Sequence, residues 1–593
     1  MKRGVLIALC LAAMVRVASG QRGTNTAASP DAPPQFTNVA AEAGIGVRHV
    51  NGGTPDRHLL EIMGSGGLFF DYDGDGWVDL FLVDGGSLVD PKVDATARDR
   101  LYKNRGDGTF QDVSASSGIT HSAYGMGACA ADYDNDGWTD LYVTSVGPNR
   151  LYHNDGGKRF SDVTARGGVA GAAVFSTSCA FVDIDRDNDV DLFVVNYVDA
   201  RIDNNAYCGD AAKKIRIYCH PLNFQPLQDV LYRNNGNGTF TDISKEAGIT
   251  QRGNGLGVVS GDYDDDGLVD IFVANDTTPN FLFHNEGRGT FKEVALPSGV
   301  AVASDGRPRA GMGTDFGDYD GDGDLDLFVT NHELEAHTLF RNLGKGLFED
   351  ATFTSGVGPP TLPFVGFGAG FLDADNDGDL DLAIVNGHVM NTPSHSRPGA
   401  KEAQRNLLLR NDGGRFRDVS RLAGPGFAIE NISRTLAAAD VDNDGDLDLL
   451  VTNNGAPPDL LRNQGAAGAN SLLVRLTGTR SNRDAIGARL RITAGGRTQT
   501  REVKAGSSYL GQHDLRVHVG LAQATTVDRL EIRWPNGQME TVPNIAMNQI
   551  VTITEGKGVT DRRQYAVGSR QLFLPTAYCL LHTAGVPSLP CPL

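Results

Sequence analysis

Four aspartates recur within nine residues seven times along this chain. The copies are Asp71, Asp73, Asp75, Asp79; Asp132, Asp134, Asp136, Asp140; Asp183, Asp185, Asp187, Asp191; and Asp262, Asp264, Asp266, Asp270. Then come Asp318, Asp320, Asp322, Asp326; Asp373, Asp375, Asp377, Asp381; and Asp440, Asp442, Asp444, Asp448. Carboxylates stand at positions 1, 3, 5 and 9, with glycine at position 6 in six copies and Asn188 in the third. Oxygen donors at alternating positions, turned inward by a residue that tolerates positive φ, suit a hard cation. Calcium fits better than magnesium, which keeps several waters and is rarely caged by protein oxygens alone. The pattern predicts about seven structural calcium ions, with the Asn188 loop the weakest candidate. Without a cation, four carboxylates packed this closely would repel one another.

The EF-hand opens in the same way but needs a glutamate at position 12 and a helix on each side. Here position 12 is Leu82 in the first copy and Val143 in the second, both inside β-like runs. The loop therefore joins two strands. Each repeat also carries a pattern L-[YFL]-x-N-x-G, as at Leu101–Gly106 and Leu151–Gly156, and in six repeats an aromatic strand such as Phe110–Val113 follows. Each repeat reads as four short strands, and seven such units predict an all-β, seven-bladed β-propeller. The seventh repeat lacks its fourth strand, because Gly465 runs into Ala466-Ala467-Gly468. Phe36-Thr37-Asn38-Val39 near the N-terminus has the missing pattern and is expected to complete that blade. Such a clasp removes an open sheet edge.

These loops resemble the FG-GAP/VCBS repeats that bind calcium in the integrin α-subunit propeller. The segment from Asp484 to Thr554 is similar to the ASPIC/UnbV domain. It carries Ile486-Gly487-Ala488-Arg489, Val519-Gly520-Leu521, Trp534-Pro535-Asn536-Gly537 and Asn548-Gln549. Together they resemble the cartilage acidic protein family and its bacterial relatives. The resemblance implies an extracellular calcium-binding protein, with the first, third, fifth and ninth residue of each loop as ligands.

The domain plan is a signal peptide at 1–20, a linker at 21–34 and the propeller at 35–465. A small all-β domain follows at 470–556, then an irregular tail at 557–593. Lys2 and Arg3, the apolar run Val5–Val15 and Ala18-Ser19-Gly20 compose the signal. It predicts secretion to the extracellular space, cell surface or periplasm, and no other segment reads as a membrane span. Formal net charge is -20; the acidic loops supply the excess, and no basic footprint for nucleic acid is present. Cys208 and Cys219 enclose ten residues of one insertion and are expected to form a disulfide. Cys129 and Cys179 lie on core strands and read as buried thiols, while Cys579 and Cys591 form a candidate pair in the tail.

Topology puts the acidic loops at one end of the ring. The residue thirteen after each first aspartate ends the second strand at the other end. Those residues are Asp84, Ser145, Asn196, Asn275, Asn331, Asn386 and Asn453. They are either a polar ligand ring or local caps of the strand ends. Long insertions follow in repeats one, three and six, the third holding Cys208, Cys219 and His220 and the sixth His388 and His395. Long loops on a rigid scaffold usually carry function. Asn275, Asp276, Asn331, Asn386 and His388 are therefore the ligand-face candidates. The expected function is a secreted glycan- or protein-binding, adhesive module. The alternative is an exported enzyme acting on a polysaccharide or small metabolite through Asp276, His388 and Glu61. The cluster His49, His58, Glu61 reads as satisfied surface groups.

Overall fold

The computed structural model describes residues 33–87, 97–119, 124–390, 399–465 and 468–566. The signal peptide, most of the linker, His395, Cys579 and Cys591 lie outside the described residues. Between Phe36 and Asn463 the described residues fold into seven four-stranded antiparallel units, two of which share a sheet through the pairs Val174↔Gly147 and Phe175↔Val146. In blade one the strands are Gly67–Phe70, Asp79–Leu82, Arg100–Asn104 and Phe110–Asp112, in that spatial order. The fold is a β-propeller. In blade seven the outermost strand is Phe36–Asn38, paired with Asp459–Asn463. Phe36 is fully buried, packs edge-on against Phe427 at 5.2 Å and donates its N–H to the Ala423 carbonyl at 2.8 Å.

The second strand of each blade is an unbroken apolar run because both of its faces are covered. Alternate side chains point to opposite faces. Leu80 and Leu82 thus pack towards blade seven, with Ala437 and Leu450, while Phe81 and Val83 pack towards blade two, with Ala128 and Leu141. Seven such interfaces replace a single central core.

Residues 470–564 form two four-stranded sheets. One contains Asn470–Thr477, Val517–Ala522, Gln549–Thr554 and Gly558–Gln564. The other contains Arg489–Ala494, Arg497–Glu502, Thr526–Arg533 and Met539–Ala546. The last strand of the first sheet corrects the expectation that everything after 556 is irregular. Its sequence, GVTDRRQ, is too polar for a hydrophobic period, and it is an edge strand held by Gln549–Thr554.

This domain sits on the end of the ring that carries the acidic loops. Between its two sheets, residues 505–513 run down the axis of the propeller. Ser508 and Thr314 exchange backbone hydrogen bonds at 2.7 and 3.0 Å. Leu510 N–H donates to Ser178 Oγ at 3.0 Å, and Gln512 exchanges hydrogen bonds with the backbone of Ala130 at 3.0 and 3.1 Å. Thr435 Oγ1 donates to the Tyr509 carbonyl, and Tyr509 OH donates to the Met63 carbonyl at 3.1 Å. Tyr509 and Leu510 are fully buried in an apolar cluster with Leu60, Phe175, Leu256 and Phe367, which seals the far end of the channel.

The inner strands make room for this plug with glycine. A Cβ on Gly66 would lie 1.8 Å from the Leu510 carbonyl oxygen, and one on Gly127 would lie 3.1 Å from Leu510 Cα. Neither glycine has a left-handed backbone, so the requirement is steric.

Candidate functional site

Each acidic loop is shaped by two left-handed residues. Position 6 has φ between 78° and 100° in all seven copies, and Asn188 at 78° adopts it as the glycines do. The third loop therefore keeps the backbone of the others. Position 4 is also left-handed, with φ between 52° and 75°, and is filled by Gly74, Asn135, Arg186, Asp265, Gly321, Asn376 and Asn443. The sequence signal was there, since glycine and Asx residues tolerate this region; Arg186 is the exception that hid it.

The loop carboxylates divide the work. The first aspartate accepts the N–H of position 6, as from Gly137 to Asp132 at 2.7 Å and from Gly378 to Asp373 at 2.8 Å. The fifth accepts the N–H of position 7, as from Trp138 to Asp136 at 2.9 Å. The ninth is a brace between strands: Asp140 accepts from Tyr133 N–H at 3.2 Å and from Asn154 N–H at 2.7 Å. Asp79, Asp191, Asp326, Asp381 and Asp448 repeat that pair of contacts.

The asparagine of the L-[YFL]-x-N-x-G pattern then ties neighbouring blades. Asn154 Nδ2 donates to Thr139 O in its own blade and to Tyr72 O in the loop of the blade before, at 3.0 and 2.8 Å. Asn104 does the same to Val78 O and, across the closure of the ring, to Val441 O at 2.8 Å.

The donor set fits a hard cation. Asp71 Oδ1, Asp73 Oδ1, Asp183 Oδ2, Asp185 Oδ1, Asp318 Oδ1, Asp373 Oδ1 and Asp375 Oδ1 are buried oxygens with no hydrogen-bond donor. Clustered carboxylates such as Asp71, Asp73, Asp79 and Asp183, Asp185, Asp191 bring oxygens within 4.8 Å of one another. Burial raises Asp79 to about 9, and burial with the neighbouring Asp484 raises Asp132 to about 8. Positive charge close by is what these groups need to ionise.

The protein supplies some of that charge itself. The variable position of L-[YFL]-x-N-x-G is basic in every blade: Lys103, His153, Arg233, His284, Arg341, Arg410 and Arg462. Lys103 reaches Asp73 and Asp75, Arg341 Nε lies 2.7 Å from Asp320, and Arg462 pairs with Asp442. Reading this position as variable concealed a rule of charge. The second domain adds more cations. Arg475 Nη1 lies 3.3 Å from Asp71 Oδ2, Arg533 pairs with Asp262 and Asp265, and Arg497 pairs with Asp379. Arg516 donates to the Asp440 carbonyl at 3.0 Å.

At the opposite end the expected asparagine ring is local capping. Asn275, Asn331 and Asn386 are 0–1 % exposed. Their Nδ2 groups donate to Pro279 O, Ala336 O and Arg405 O at 2.7–2.9 Å. They hold the end of one strand to the start of the next and are not presented to a ligand. Asp276 and His388 lie in the connections at this end of the ring. Asp276 Oδ2 accepts from Tyr197 OH at 2.5 Å, and burial raises its carboxyl to about 7 against the effect of that hydrogen bond. His388 Nδ1 accepts from Met390 N–H at 3.0 Å and its Nε2 faces Glu333 at 3.3 Å. Burial lowers the imidazole, and Glu333 opposes it.

Glu61 is fully buried and accepts from Thr54, His58 N–H and Tyr218 OH. It braces the 54–62 turn. His49 is held by Ser65 Oγ at 2.8 Å and Gly455 N–H at 3.1 Å, and His58 is 4 % exposed, so these are interior and not surface histidines.

The blade-three insertion reaches across to that turn: Asn205 Nδ2 and Arg216 Nη1 both contact Asp56 at 2.7 Å. Cys208 and Cys219 form a disulfide within it. The insertion also displays Ile202, Tyr207, Ile215 and Leu222, 42–63 % exposed, with the Arg216 guanidinium 5.4 Å over the Tyr207 ring. A second disulfide, Cys129–Cys179, corrects the expectation of two buried thiols. The inner strands of blades two and three converge on the axis and bring the two Cα atoms to 5.8 Å, within bonding range.

The family described as FG-GAP-like repeat matches residues 71–143, 132–194, 225–273, 262–329, 318–384 and 399–451, more than half of the chain. The family described as ASPIC and UnbV matches residues 478–560. Cartilage acidic protein 1 of Mus musculus is 29 % identical over 324 residues, 53 % of this chain and 47 % of that protein. The Homo sapiens protein is 29 % identical over the same length and is covered to 46 %. The chain thus spans about half the length of the curated relatives it matches. Among solved structures, an Agrocybe aegerita lectin that recognises non-reducing terminal N-acetylglucosamine aligns with a TM-score of 0.38 at 15 % identity, over 66 % of this chain and 85 % of its own. Rhamnogalacturonan lyase YesW aligns with a TM-score of 0.36 at 13 % identity, over 72 % and 75 %. Scores this low leave function untouched. The repeats along the ring and the domain seated on it make this chain a member of the FG-GAP-like repeat proteins that carry an ASPIC and UnbV domain.

Proposed function

We propose that the chain is a secreted, calcium-stabilised binding module that engages a glycan or an extracellular protein through the face opposite its acidic loops. The observation that carries this reading is which end of the ring is covered. The second domain and its plug take up the acidic end and the channel. The other end is built from the longest connections and displays the exposed apolar groups of the blade-three insertion. Exposed aromatic and aliphatic side chains beside a stacked arginine suit recognition of a sugar face or a protein patch. Calcium would be held by the first, third, fifth and ninth carboxylates of each loop, where it would neutralise them and fasten the hairpin to its blade. The two disulfides fit an oxidising compartment. Among the described residues, no helix is long and apolar enough to cross a membrane.

The test is a glycan and matrix-protein array probed with the full chain in calcium. A reproducible hit is expected, lost in the variant Tyr207→Ala, Leu222→Asp while the melting curve stays unchanged. A hit that survives this variant would place the binding surface elsewhere. The enzyme alternative gains no support from the three groups it needs. Glu61 is used up in bracing a turn, and Asp276 and His388 are paired with Tyr197 and Glu333.

A further inference from the structure

Blade five departs from its siblings along its outer edge, where Phe348–Asp350 is the last strand of the sheet. The residue just before that strand is Leu347, where the other blades place Gln35, Thr109, Arg159, Thr239, Thr290 and Arg415. The residue after the turn asparagine is Leu343, where the others place Arg105, Asp155, Asn235, Glu286, Asp412 and Gln464. The turn itself is unchanged. Leu343 N–H donates to the Leu347 carbonyl at 2.8 Å, as Arg105 does to Thr109 at 3.0 Å and Glu286 to Thr290 at 2.8 Å. Past the strand, the rim position is Phe353 in blade five and Leu296 in blade four, against Ala41, Ala115, Ala165, Lys245 and Arg421. The blade-four turn Ala295–Ser298 ends at Gly299, where a Cβ would lie 2.8 Å from the Phe348 carbonyl oxygen, so Leu296 comes to the same edge. Leu343, Leu347, Phe353 and Leu296 are 54, 53, 63 and 70 % exposed. The sibling blades fold with polar or small residues here, so the fold does not require these apolar ones. We infer that this edge is a contact between two copies of the chain, with the blade-five edges meeting about a two-fold axis.

Charge and area select a second copy as the occupant. Lys345 at the tip of the turn and Glu349 on the strand flank the leucines, and both are exposed. In a two-fold contact residue i of one copy meets residue j of the other, and j meets i. An apolar centre with one cation and one anion beside it therefore complements itself, setting Lys345 of each copy against Glu349 of the other. Among the described residues Lys345 pairs with no carboxylate of its own chain, and Glu349 lies 3.9 Å from Arg341 with its side chain 54 % exposed, so both are free to do so. The formal charge of -20 makes two copies repel over most of their surface, which favours a contact of mixed sign. The four side chains present on the order of 300 Å² of apolar surface, the size of the largest patch on an ordinary monomer. A stable complex buries roughly 800 Å² per partner, a little over half of it apolar. The patch can supply most of that apolar share but leaves little surplus, so a weak, reversible dimer is the expected state. The inference is independent of the ligand reading, which uses the blade-three insertion.

The test is sedimentation velocity of the full chain, in calcium and physiological salt, from low to several hundred micromolar protein. A concentration-dependent shift from monomer to dimer is expected, with a dissociation constant in the micromolar range. Leu343→Asn with Leu347→Thr installs the residues that blade three uses, Asn235 and Thr239, and should abolish the shift while the melting curve stays unchanged. Lys345→Glu should weaken the dimer roughly tenfold, because the two-fold axis makes each reversal count twice. Adding Glu349→Lys to it should restore the native value. This exchange of surface charges decides the matter even if the leucine variant folds poorly. A native chain that stays monomeric at every concentration overturns the proposal. A dimer that survives the leucine variant overturns it by placing the contact elsewhere. A double reversal that stays as weak as the single one overturns the two-fold pairing of Lys345 with Glu349.

Discussion

Gly66→Ala is the sharpest test of the plugged channel. The new Cβ would meet three backbone atoms: Leu510 O at 1.8 Å, Leu510 C at 2.9 Å and Gly127 Cα at 3.1 Å. No rotamer change relieves a clash with backbone, so the plug must shift. Withdrawing Tyr509 and Leu510, both fully buried, forfeits about 1.5–3 kcal/mol each. Relief of the left-handed Ser508 (φ 65°) and Leu510 (φ 58°) returns roughly 1–3 kcal/mol apiece. The expected net loss is about 2–4 kcal/mol once the broken hydrogen bonds to Ser178 and Thr435 are included. Gly156→Ala is the control. Gly156 has φ 74° but nothing within 4 Å of a new Cβ, so only the left-handed penalty of about 1–2 kcal/mol applies. Both variants would be compared by denaturant midpoint in saturating calcium and by hydrogen exchange across 505–513. Gly66→Ala should lower the midpoint more than Gly156→Ala and be alone in deprotecting the plug. If its plug stays protected and its midpoint matches the native chain, the packing of this segment is wrong.

Chelation with EDTA should lower the melting temperature, since each ion at a hundred times its Kd contributes about 2.7 kcal/mol; an unchanged melt would refute structural calcium. Asn154→Ala removes donors to Tyr72 O and Thr139 O inside a buried interface, and a loss of about 2–4 kcal/mol is expected in denaturant melts. The carboxyl of Asp276 is raised to about 7 by burial, so its contribution is fully present below pH 4 and is lost as pH rises towards 7. Asp276→Asn should therefore flatten the stability profile between pH 4 and 7, and a profile parallel to the native one would contradict the burial. Replacing Cys129 and Cys179 with serine opens a loop with a sequence separation of 50, at an expected loss of about 4 kcal/mol in the chain-entropy model. Mass spectrometry of the unreduced chain must also show that pair.

Much of the propeller was readable because its rules are local. Four carboxylates within nine residues, an apolar run on each side and a glycine at position 6 in six of the seven copies are all set by neighbours in sequence. The same logic located Phe36–Val39 as the missing strand, because it copies a pattern repeated six times elsewhere. Where the reading missed, a side chain reaches beyond its own repeat or a position varies in type while keeping its charge. Lys103, His153 and Arg341 differ as letters but aim the same charge at their own loops. For Asn275, Asn331 and Asn386 the sequence left a ligand ring and strand-end caps both open, and the buried amides donate to the carbonyls of Pro279, Ala336 and Arg405 as caps do.

Taken alone, the sequence determines the repeat, the chemistry of the loops and the strands that carry them, since each depends on residues a few positions apart. The tertiary structure decides which end is covered, which cysteines meet and what fills the axis. Gly66 and Leu510 stand at opposite ends of the chain, and nothing near either one in sequence signals the other. They meet because seven inner strands converge on one axis, and glycines such as Gly66 and Gly127 leave space there that the 505–513 segment of the second domain occupies.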